Sequence, residues 1–246
     1  RFNCRPGKWL PGCKQGVNMS VIAQAGAKGR QLHKFGGSSL ADVKCYLRVA
    51  GIMADYSQPD DMMVVSAAGS TTNQLISWLK LSQTDRLSAH QVQQALRRYQ
   101  SELISGLLPP EVADGLIGAF IHDLERLAGL LDSGVNDAVY AEVVGHGEVW
   151  SARLMSAVLN QQGLESAWLD ARDFLRAERG AQPQVDEGLS YPLLQQLLAQ
   201  HPGKRLVVTG FISRSNAGET VLLGRNGSDY SATQVGALAG VSRVTI

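Results

Sequence analysis

The 246-residue sequence has few cysteines, no excess of charge of either sign and no long apolar run. Its three cysteines cannot form a closed disulfide framework, and no C-x-x-C or H-E-x-x-H motif indicates a zinc site. The formal net charge of +1 argues against an electrostatically driven nucleic-acid binder, which needs a basic excess. No segment approaches the roughly 18 apolar residues of a membrane span. We therefore expect a cytoplasmic protein that binds neither nucleic acid nor membrane.

The common phosphate-binding motifs, G-x-x-x-x-G-K-[ST] and G-x-G-x-x-G, are also absent. Gly145-His146-Gly147 begins like the second motif, but Trp150 occupies the place of its third glycine. A nucleotide-dependent function would therefore need a different signature.

The chain does contain a regular alternation of apolar segments with amphipathic ones. Continuous apolar segments are typical of parallel strands buried on both faces, and helices between them predict crossover connections. Strands are predicted at residues 32–35, 62–65, 167–170, 205–212 and 220–223. Helices are predicted at residues 41–56, 86–131 with a break at its two prolines, 136–162 with an interruption near 145–147, 191–199 and 229–238. The sequence thus predicts an α/β fold.

The two ends of the chain differ from this pattern. Residues 1–18 contain basic residues, prolines and glycines but no acid, and Met19 is the first methionine. We expect residues 1–18 to be a leader and residues 19–246 to form the domain. Residues 241–246 predict the start of a further strand, so we expect the sheet to be incomplete at that end.

A glycine-rich segment, K-F-G-G-S-S at residues 34–39, lies between a predicted strand and a predicted helix. Glycines there let backbone N–H groups approach an anion, and a helix N-terminus adds a favourable dipole. Lys34 adds a point charge that suits a phosphate. The segment predicts phosphate contacts from Lys34, Gly36 and Gly37, with an ordinary strand-to-helix turn as the alternative.

A second loop, G-R-N-G-S-D at residues 224–229, also precedes a predicted helix. We expect Ser228 and Asp229 to cap that helix and Arg225 to offer its planar fork to a carboxylate. A well-capped surface loop is the alternative. Ligands of α/β proteins bind at the carboxyl ends of the strands, so the two loops could face each other there.

Two further segments carry polar side chains. V-S-A-A-G-S-T-T-N at residues 65–73 follows a predicted strand, so Ser66 and Thr72 are expected to line a pocket; a turn rich in small polar residues is the alternative. Glu148 is expected in the first turn of a helix, where the dipole favours an acid, or as a ligand for an ammonium group. The five histidines show no metal-binding spacing, and no metal site is predicted.

Together and in this order, these segments resemble the signatures of the aspartokinase branch of the amino-acid kinase family. Residues 34–39 resemble its opening K-F-G-G-[ST]-S, and residues 64–73 resemble its V-V-S-A…T-N segment. H-G-E at residues 146–148 and G-R-N-G-S-D-Y-S at residues 224–231 resemble S-H-G-E and G-R-G-G-S-D-Y-[ST]. Asn226 replaces a usual glycine, so it should need the left-handed conformation that Asn tolerates better than most residues.

The resemblance, which runs from about residue 31 to residue 246, implies a three-layer α/β sandwich with a mostly parallel central sheet. It implies transfer of the γ-phosphoryl group of ATP, bound with Mg²⁺, to the β-carboxylate of L-aspartate. The chain is similar to the kinase portion of the methionine-branch bifunctional proteins, whose homoserine dehydrogenase half would use NADP. Residues 19–246 would then be the N-terminal, substrate-side part of the kinase domain of a homo-oligomeric protein.

The resemblance also implies roles for individual residues. Lys34 and Asp229 would be catalytic, with Asp229 either orienting Lys34 or helping to place Mg²⁺. The ATP phosphates would be bound by Lys34, Gly36, Gly37 and Ser38. The aspartate would be bound by Ser66, Thr72, Glu148, Arg225 and Ser228.

Two alternatives stay open. Another member of the superfamily could phosphorylate glutamate, acetylglutamate or a nucleotide, although Glu148 and Arg225 together argue against an acceptor that lacks a free amino-acid head group. A polypeptide ending at Ile246 could instead be a non-catalytic fragment that only binds ligand or assembles with other subunits.

Overall fold

The computed structural model describes residues 29–246, and the leader predicted at residues 1–18 lies outside them. The strands are β1 (Gln31–Phe35), β2 (Met62–Val65), β3 (Ser166–Leu169), β4 (Arg205–Thr209), β5 (Ile212–Arg214), β6 (Thr220–Leu222) and β7 (Arg243–Thr245). Five of them form a parallel sheet in the order β3-β4-β2-β1-β7, and β5 and β6 form a separate antiparallel pair. The strand predicted at residues 241–246 is confirmed as β7, which pairs with β1.

Helices cover both faces of the sheet. They are α1 (Val43–Tyr56), α2 (Thr71–Ser82), α3 (Arg86–Leu107), α4 (Pro110–Asp132), α5 (Asp137–Gln161), α6 (Glu187–Gln200) and α7 (Gly227–Ala239). One apolar core packs α1 to α5 against one face, and a second packs α6 and α7 against the other. The predicted three-layer α/β sandwich is confirmed. Among residues 29–246, no helix combines the length and the apolar composition that crossing a membrane requires.

Strand β2 shows why the strands of this sheet are continuously apolar. Met63 and Val65 belong to the core beneath α1 to α5, whereas Met62 and Val64 belong to the core beneath α6 and α7. All four side chains are fully buried. Burial of one such side chain stabilises the fold by about 1.5–3 kcal/mol, so successive residues on both faces have to be apolar.

The strand predicted at residues 205–212 is wrong at its end, because it divides into β4 and β5 at Gly210 and Phe211. A Cβ on Gly210 would lie 2.8 Å from the Ser228 hydroxyl oxygen, so this turn lies directly against the beginning of α7. Phe211 has a φ of +64°, a left-handed conformation that cannot continue a strand.

The glycine-rich segment at residues 34–39 does not lead directly into an α-helix, as the sequence predicts. A short 3-10 helix (Gly37–Leu40) follows β1, and α1 begins only at Val43. The Asp42 carboxylate caps that helix by accepting a hydrogen bond of 2.8 Å from a backbone amide of its first turn. The helix dipole expected at the two glycines is therefore not supplied by α1.

The interruption predicted near residues 145–147 is also wrong, because α5 runs unbroken through them. The two glycines serve close packing instead. A Cβ on Gly145 would lie 2.6 Å from Cγ2 of Ile212, and a Cβ on Gly147 would lie 2.8 Å from Cβ of Ala67. Glu148 consequently lies in the middle of α5 and not in a first turn.

Helix α7 begins at Gly227, so the prediction that Ser228 is its N-cap is wrong. Asn226 holds the N-cap position, and Ser228 and Asp229 lie in the first turn. Asn226 has φ 55° and ψ 27°, which confirms the left-handed conformation expected for it.

We expect Gly147→Ala to destabilise the protein by about 1–3 kcal/mol, the usual cost of overpacking a well-packed interior. The added methyl group would meet Ala67 at 2.8 Å and Thr71 Cγ2 at 3.1 Å. Gly129→Ala is the matched control, because Gly129 is an exposed position inside α4 with no atom within 4 Å of an added Cβ. That change should stabilise by about 0.5–1 kcal/mol. Urea denaturation measures both, and equal effects would contradict the packing role of Gly147.

Candidate functional site

A cavity of about 360 Å³ lies at the carboxyl ends of β1, β2 and β4, the central strands of the sheet. Seven residues that the sequence predicts for the site line it: Lys34, Gly37, Ser66, Thr72, Glu148, Ser228 and Asp229. Three others, Gly36, Ser38 and Arg225, are not among its lining residues, and the last two are exposed. The structure therefore brings together segments that are up to 195 positions apart in the chain, from residue 34 to residue 229.

Lys34 forms an ion pair across the cavity with Asp229. Its Nζ lies 2.5 Å from Oδ1 of Asp229, and its side chain is only 14% exposed. Lys34 is near the end of β1 and Asp229 is in the first turn of α7, so the pair joins the two loops that the sequence singles out. This contact holds the lysine side chain toward α7. The catalytic role expected for Asp229, either orienting Lys34 or helping to place Mg²⁺, stays a prediction.

The two α-helices that start at the cavity, α2 and α7, have no side-chain cap, and neither does α4, whose N-cap residue is a proline. Side chains accept hydrogen bonds from first-turn amides in α1, α3, α5 and α6. No such bond is made at the starts of α2 and α7. Within the part of the chain that the structure describes, the backbone amides of Gly37, Thr72, Asn73 and Ser228 have no acceptor. All four residues line the cavity, which therefore offers unsatisfied donors to an anion.

A hydrogen bond from α3 and two further hydrogen bonds hold the start of α2 and the turn before it in place. The Gln100 side chain, which is buried, donates to the Thr71 hydroxyl at 3.0 Å, and this hydroxyl donates to the Ala68 carbonyl at 2.6 Å. The Gly69 amide donates to the Gly37 carbonyl at 2.9 Å and ties the turn after β2 to the turn after β1. The unsatisfied amides are thus held by a fixed frame.

Glu148 places a buried acid beside these donors. Its side chain is 3% exposed, it lines the cavity, and its Oε2 has no hydrogen-bond partner among the described residues. Burial raises the pKa of Glu148 to about 8, against the opposing effects of the Ala67 backbone and the Lys34 charge. A buried carboxyl group with one oxygen that lacks a partner is suited to a cationic ligand group, whose charge would favour release of the proton.

His146, two residues before Glu148, does not belong to the cavity. It is buried on α5, with Nδ1 3.6 Å from the Glu142 carboxylate and Nε2 3.7 Å from the Asp123 carboxylate. Burial opposes the charge on Glu142, but the Arg172 guanidinium and the Thr220 hydroxyl lower the pKa of Glu142 to about 2. This charged cluster joins α4, α5 and β6 away from the cavity.

Some of the cavity lining was not predicted from the sequence. Phe211 lines it because the left-handed turn between β4 and β5 directs the chain back toward α7. Its amide donates to the Ser231 hydroxyl at 2.8 Å, and a Cβ on Gly227 would lie 2.5 Å from the phenyl ring. The signal available in the sequence was Gly210, a glycine inside an apparently continuous strand, which often indicates a close backbone approach. Gly69, Ser70, Asn73 and Asn226 also line the cavity.

The sequence model of the amino acid kinase family matches residues 29–246. The chain belongs to the amino acid kinase family. Within residues 29–246 of this amino acid kinase, no group of three or more His, Cys, Asp or Glu side chains is placed to hold a metal ion.

The relatives of this amino acid kinase include aspartokinases. The chain is 91% identical over 228 residues to the bifunctional aspartokinase/homoserine dehydrogenase 2 of Escherichia coli K12. This match covers 93% of the chain and 28% of that protein. It is 31% identical over 218 residues to the lysine-sensitive aspartokinase 3 of the same organism, covering 87% of this chain and 47% of that protein. The chain thus spans less than half the length of these curated relatives.

A crystal structure of E. coli aspartokinase III in complex with aspartate and ADP superposes on this amino acid kinase with a TM-score of 0.77. The two chains are 27% identical, and the match covers 87% of this chain and 48% of that one. The same enzyme in complex with lysine and aspartate also gives a TM-score of 0.77, at 26% identity over 87% of this chain and 48% of that one.

The raised pKa of Glu148 predicts a pH-dependent stability. The folded chain keeps the proton up to about pH 8, whereas the unfolded chain loses it near the ordinary value of 4.5, so this stabilising contribution is lost as the pH rises between them. Glu148→Gln removes the titration. Its free energy of unfolding should therefore increase relative to that of the parent chain by about 1.4 kcal/mol per pH unit within this range.

Urea denaturation of the unliganded chain at several pH values between 5 and 9 measures this difference. Glu102→Gln, which changes an exposed acid on α3, is the control and should show a nearly constant difference from the parent. A pH-independent difference for Glu148→Gln would contradict the burial argument.

Proposed function

We propose that the chain is the acceptor-binding part of an aspartokinase, which transfers the γ-phosphoryl group of ATP to the β-carboxylate of L-aspartate. The product would be 4-phospho-L-aspartate, in the first step of the biosynthesis of lysine, threonine and methionine. The observation that carries this proposal is the coexistence, in one cavity, of anion-binding donors around Lys34 and a buried carboxyl group, Glu148, that has a free oxygen. The aspartokinase relatives support it.

The charge pattern of the cavity favours an amino acid as acceptor. L-Aspartate carries one ammonium group and two carboxylates, and Glu148 would pair with the ammonium group. Ser66, Thr72 and Ser228 would complete the polar lining. An acceptor whose amino group is acetylated would offer no cation to Glu148, so the carboxyl group would stay protonated and the ion pair would not form. The structural relative with bound aspartate and ADP supports the same pair of ligands.

Arg225 is exposed and outside the cavity lining, in the loop between β6 and α7. We propose that it clamps the α-carboxylate of a bound acceptor through its two-pronged guanidinium. Gly224 beside it has a φ of +79°, and an added Cβ there would meet no atom within 4 Å, so the loop is open to solvent next to Arg225.

The reaction needs alignment and charge neutralisation more than proton transfer. The nucleophilic carboxylate is already ionised at neutral pH, since a free carboxyl group titrates near ~4. The obstacle is repulsion between this anion and the phosphates of ATP, which arrives as its Mg²⁺ complex. Lys34, held by Asp229, and the Gly37 amide would stabilise the transferring phosphoryl group, with Gly36 and Ser38 contributing from the same turn.

Properties of the longer relatives are extended to this chain as part of the same proposal. The parent protein would be bifunctional, with a homoserine dehydrogenase half that uses NADP, and it would be a cytoplasmic homo-oligomer. Residues 19–246 would form the substrate-side part of the kinase domain.

Isothermal titrations with L-aspartate, N-acetyl-L-aspartate, L-glutamate and MgATP test the proposed acceptor. We expect binding of L-aspartate and little binding of the acetylated analogue, because Glu148 needs a free ammonium group. Preferential binding of an acetylated acceptor or of glutamate would favour another amino acid kinase. Hydroxylamine trapping detects any acyl phosphate that forms. Binding of L-aspartate without acyl-phosphate formation would favour a non-catalytic ligand-binding fragment.

Lys34→Ala should lower the turnover of acyl-phosphate formation by about 10²-fold or more, the scale expected for loss of one charge-stabilising donor. The affinity for L-aspartate should change little, since Lys34 is assigned to the phosphoryl group. Lys44→Ala, which removes an exposed lysine from α1, is the control and should leave both quantities unchanged. Near-normal turnover in Lys34→Ala would exclude the phosphate role.

A further inference from the structure

Asn226 has the N-cap position of α7 but does not cap that helix. Asparagine usually caps from an extended backbone conformation, with its side-chain oxygen accepting a hydrogen bond from the second or third residue of the helix. Asn226 instead has φ 55° and ψ 27°, and no side-chain cap bond is formed. Its carbonyl group, not its side chain, accepts hydrogen bonds from the amides of Asp229 (2.9 Å) and Tyr230 (3.0 Å).

Local backbone chemistry alone would favour glycine at this position. A left-handed conformation is sterically free only for glycine, and asparagine merely tolerates it better than most residues. The carboxamide is therefore not explained by capping or by backbone preference. Its location offers another explanation, since Asn226 lines the cavity beside Ser228, whose backbone amide has no acceptor among the described residues.

Independent features of the same cavity indicate a polar ligand. Glu148 reaches it from α5 with a buried, unpartnered carboxyl oxygen, and Lys34 reaches it from β1. Asn226 is the N-cap residue of α7, and the helix dipole favours a negative group at that end of the helix. A carboxylate placed there would find both the Ser228 amide and the Asn226 amide group as donors.

We propose that the Asn226 side chain is a binding residue that donates a hydrogen bond to a carboxylate of the acceptor amino acid. This inference rests on the proposed function, which supplies the acceptor. The loop between β6 and α7 would thus contact the acceptor through two side chains, Arg225 and Asn226. The backbone at residue 226 would accept glycine, so the contact is the reason for asparagine there.

Two substitutions separate a ligand contact from a structural role. Asn226→Gly relieves the left-handed backbone and removes the carboxamide, so the thermal midpoint of the unliganded chain should stay the same or rise. Asn226→Asp keeps the shape and places a negative charge at a helix N-terminus, which the dipole favours, yet it repels a carboxylate. Affinity and stability should thus change in opposite directions.

The measurement is the dissociation constant for L-aspartate by isothermal titration, with the thermal midpoint of each unliganded variant. We expect about tenfold weaker binding for Asn226→Gly, the loss of one hydrogen bond to a charged group, and a larger loss for Asn226→Asp. Asp60→Asn is the matched control. It exchanges an acid and an amide at another left-handed position, with φ 72°, before β2 and therefore at the opposite end of the sheet from the cavity.

Parent-like affinity in either Asn226 variant would overturn the inference while leaving the proposed function intact. A loss of affinity that accompanies a fall in the unliganded midpoint would assign Asn226 to holding the loop and would also overturn it. If the parent chain itself binds no L-aspartate, the proposed function fails, and this inference fails with it.

Discussion

The close contact between the middle of α5 and the turn after β2 is the constraint on which the cavity depends. Gly147 has no side chain, so Ala67 and Thr71 approach the helix axis more closely than any other residue would permit. The next residue, Glu148, is consequently buried beside the ends of the central strands. Gly145 permits a similarly close contact with Ile212 of β5. This contact brings the Phe211 turn and the start of α7 to the opposite side of the cavity.

This packing has an electrostatic cost, because it desolvates a carboxyl group that has no full set of partners. Favourable contacts along the rest of α5 have to offset this desolvation of Glu148. Apolar side chains of α5 contribute to both cores, and the cluster of Asp123, Glu142 and His146 connects the helix to α4 and, through the contact of Glu142 with Thr220, to β6. The buried carboxyl group at the cavity thus lies on a helix that apolar packing and ion pairs hold in place, and buried acids with a shifted pKa are typical of functional sites.

The sequence predicted the layers of the fold and most of the cavity, because both depend on local patterns. Continuous apolar segments such as Met62–Val65 identify buried parallel strands, and the carboxyl ends of such strands meet at one edge of the sheet. The sequence did not predict the behaviour of glycine in α5. Periodicity treats a glycine pair as a helix breaker, whereas here tertiary contacts to Ile212 and Ala67 require it. The same limit applies to Gly210 and Phe211, where a change of backbone hand ends β4.

Arg225 and Ser228 show a second limit. Residue type correctly marked their loop as polar and close to a helix start. However, α7 begins at Gly227 after the left-handed Asn226, two positions before the predicted start, and Arg225 lies at the surface. A backbone conformation that one residue adopts can therefore decide which neighbours reach a cavity. Single-residue propensities do not contain that information.

The missing caps of α2 and α7 have a consequence for how the fold is held together. Each of these helix starts leaves backbone amides without an acceptor, and an anion bound in the cavity could accept from both. Such a ligand would be a structural element shared by two helices far apart in the chain. Bound ligand would suppress the local opening of the first turns of α2 and α7. Hydrogen exchange of their backbone amides measures this opening. The affinity for such a ligand and the rigidity of the two helix starts would then depend on the same set of hydrogen bonds.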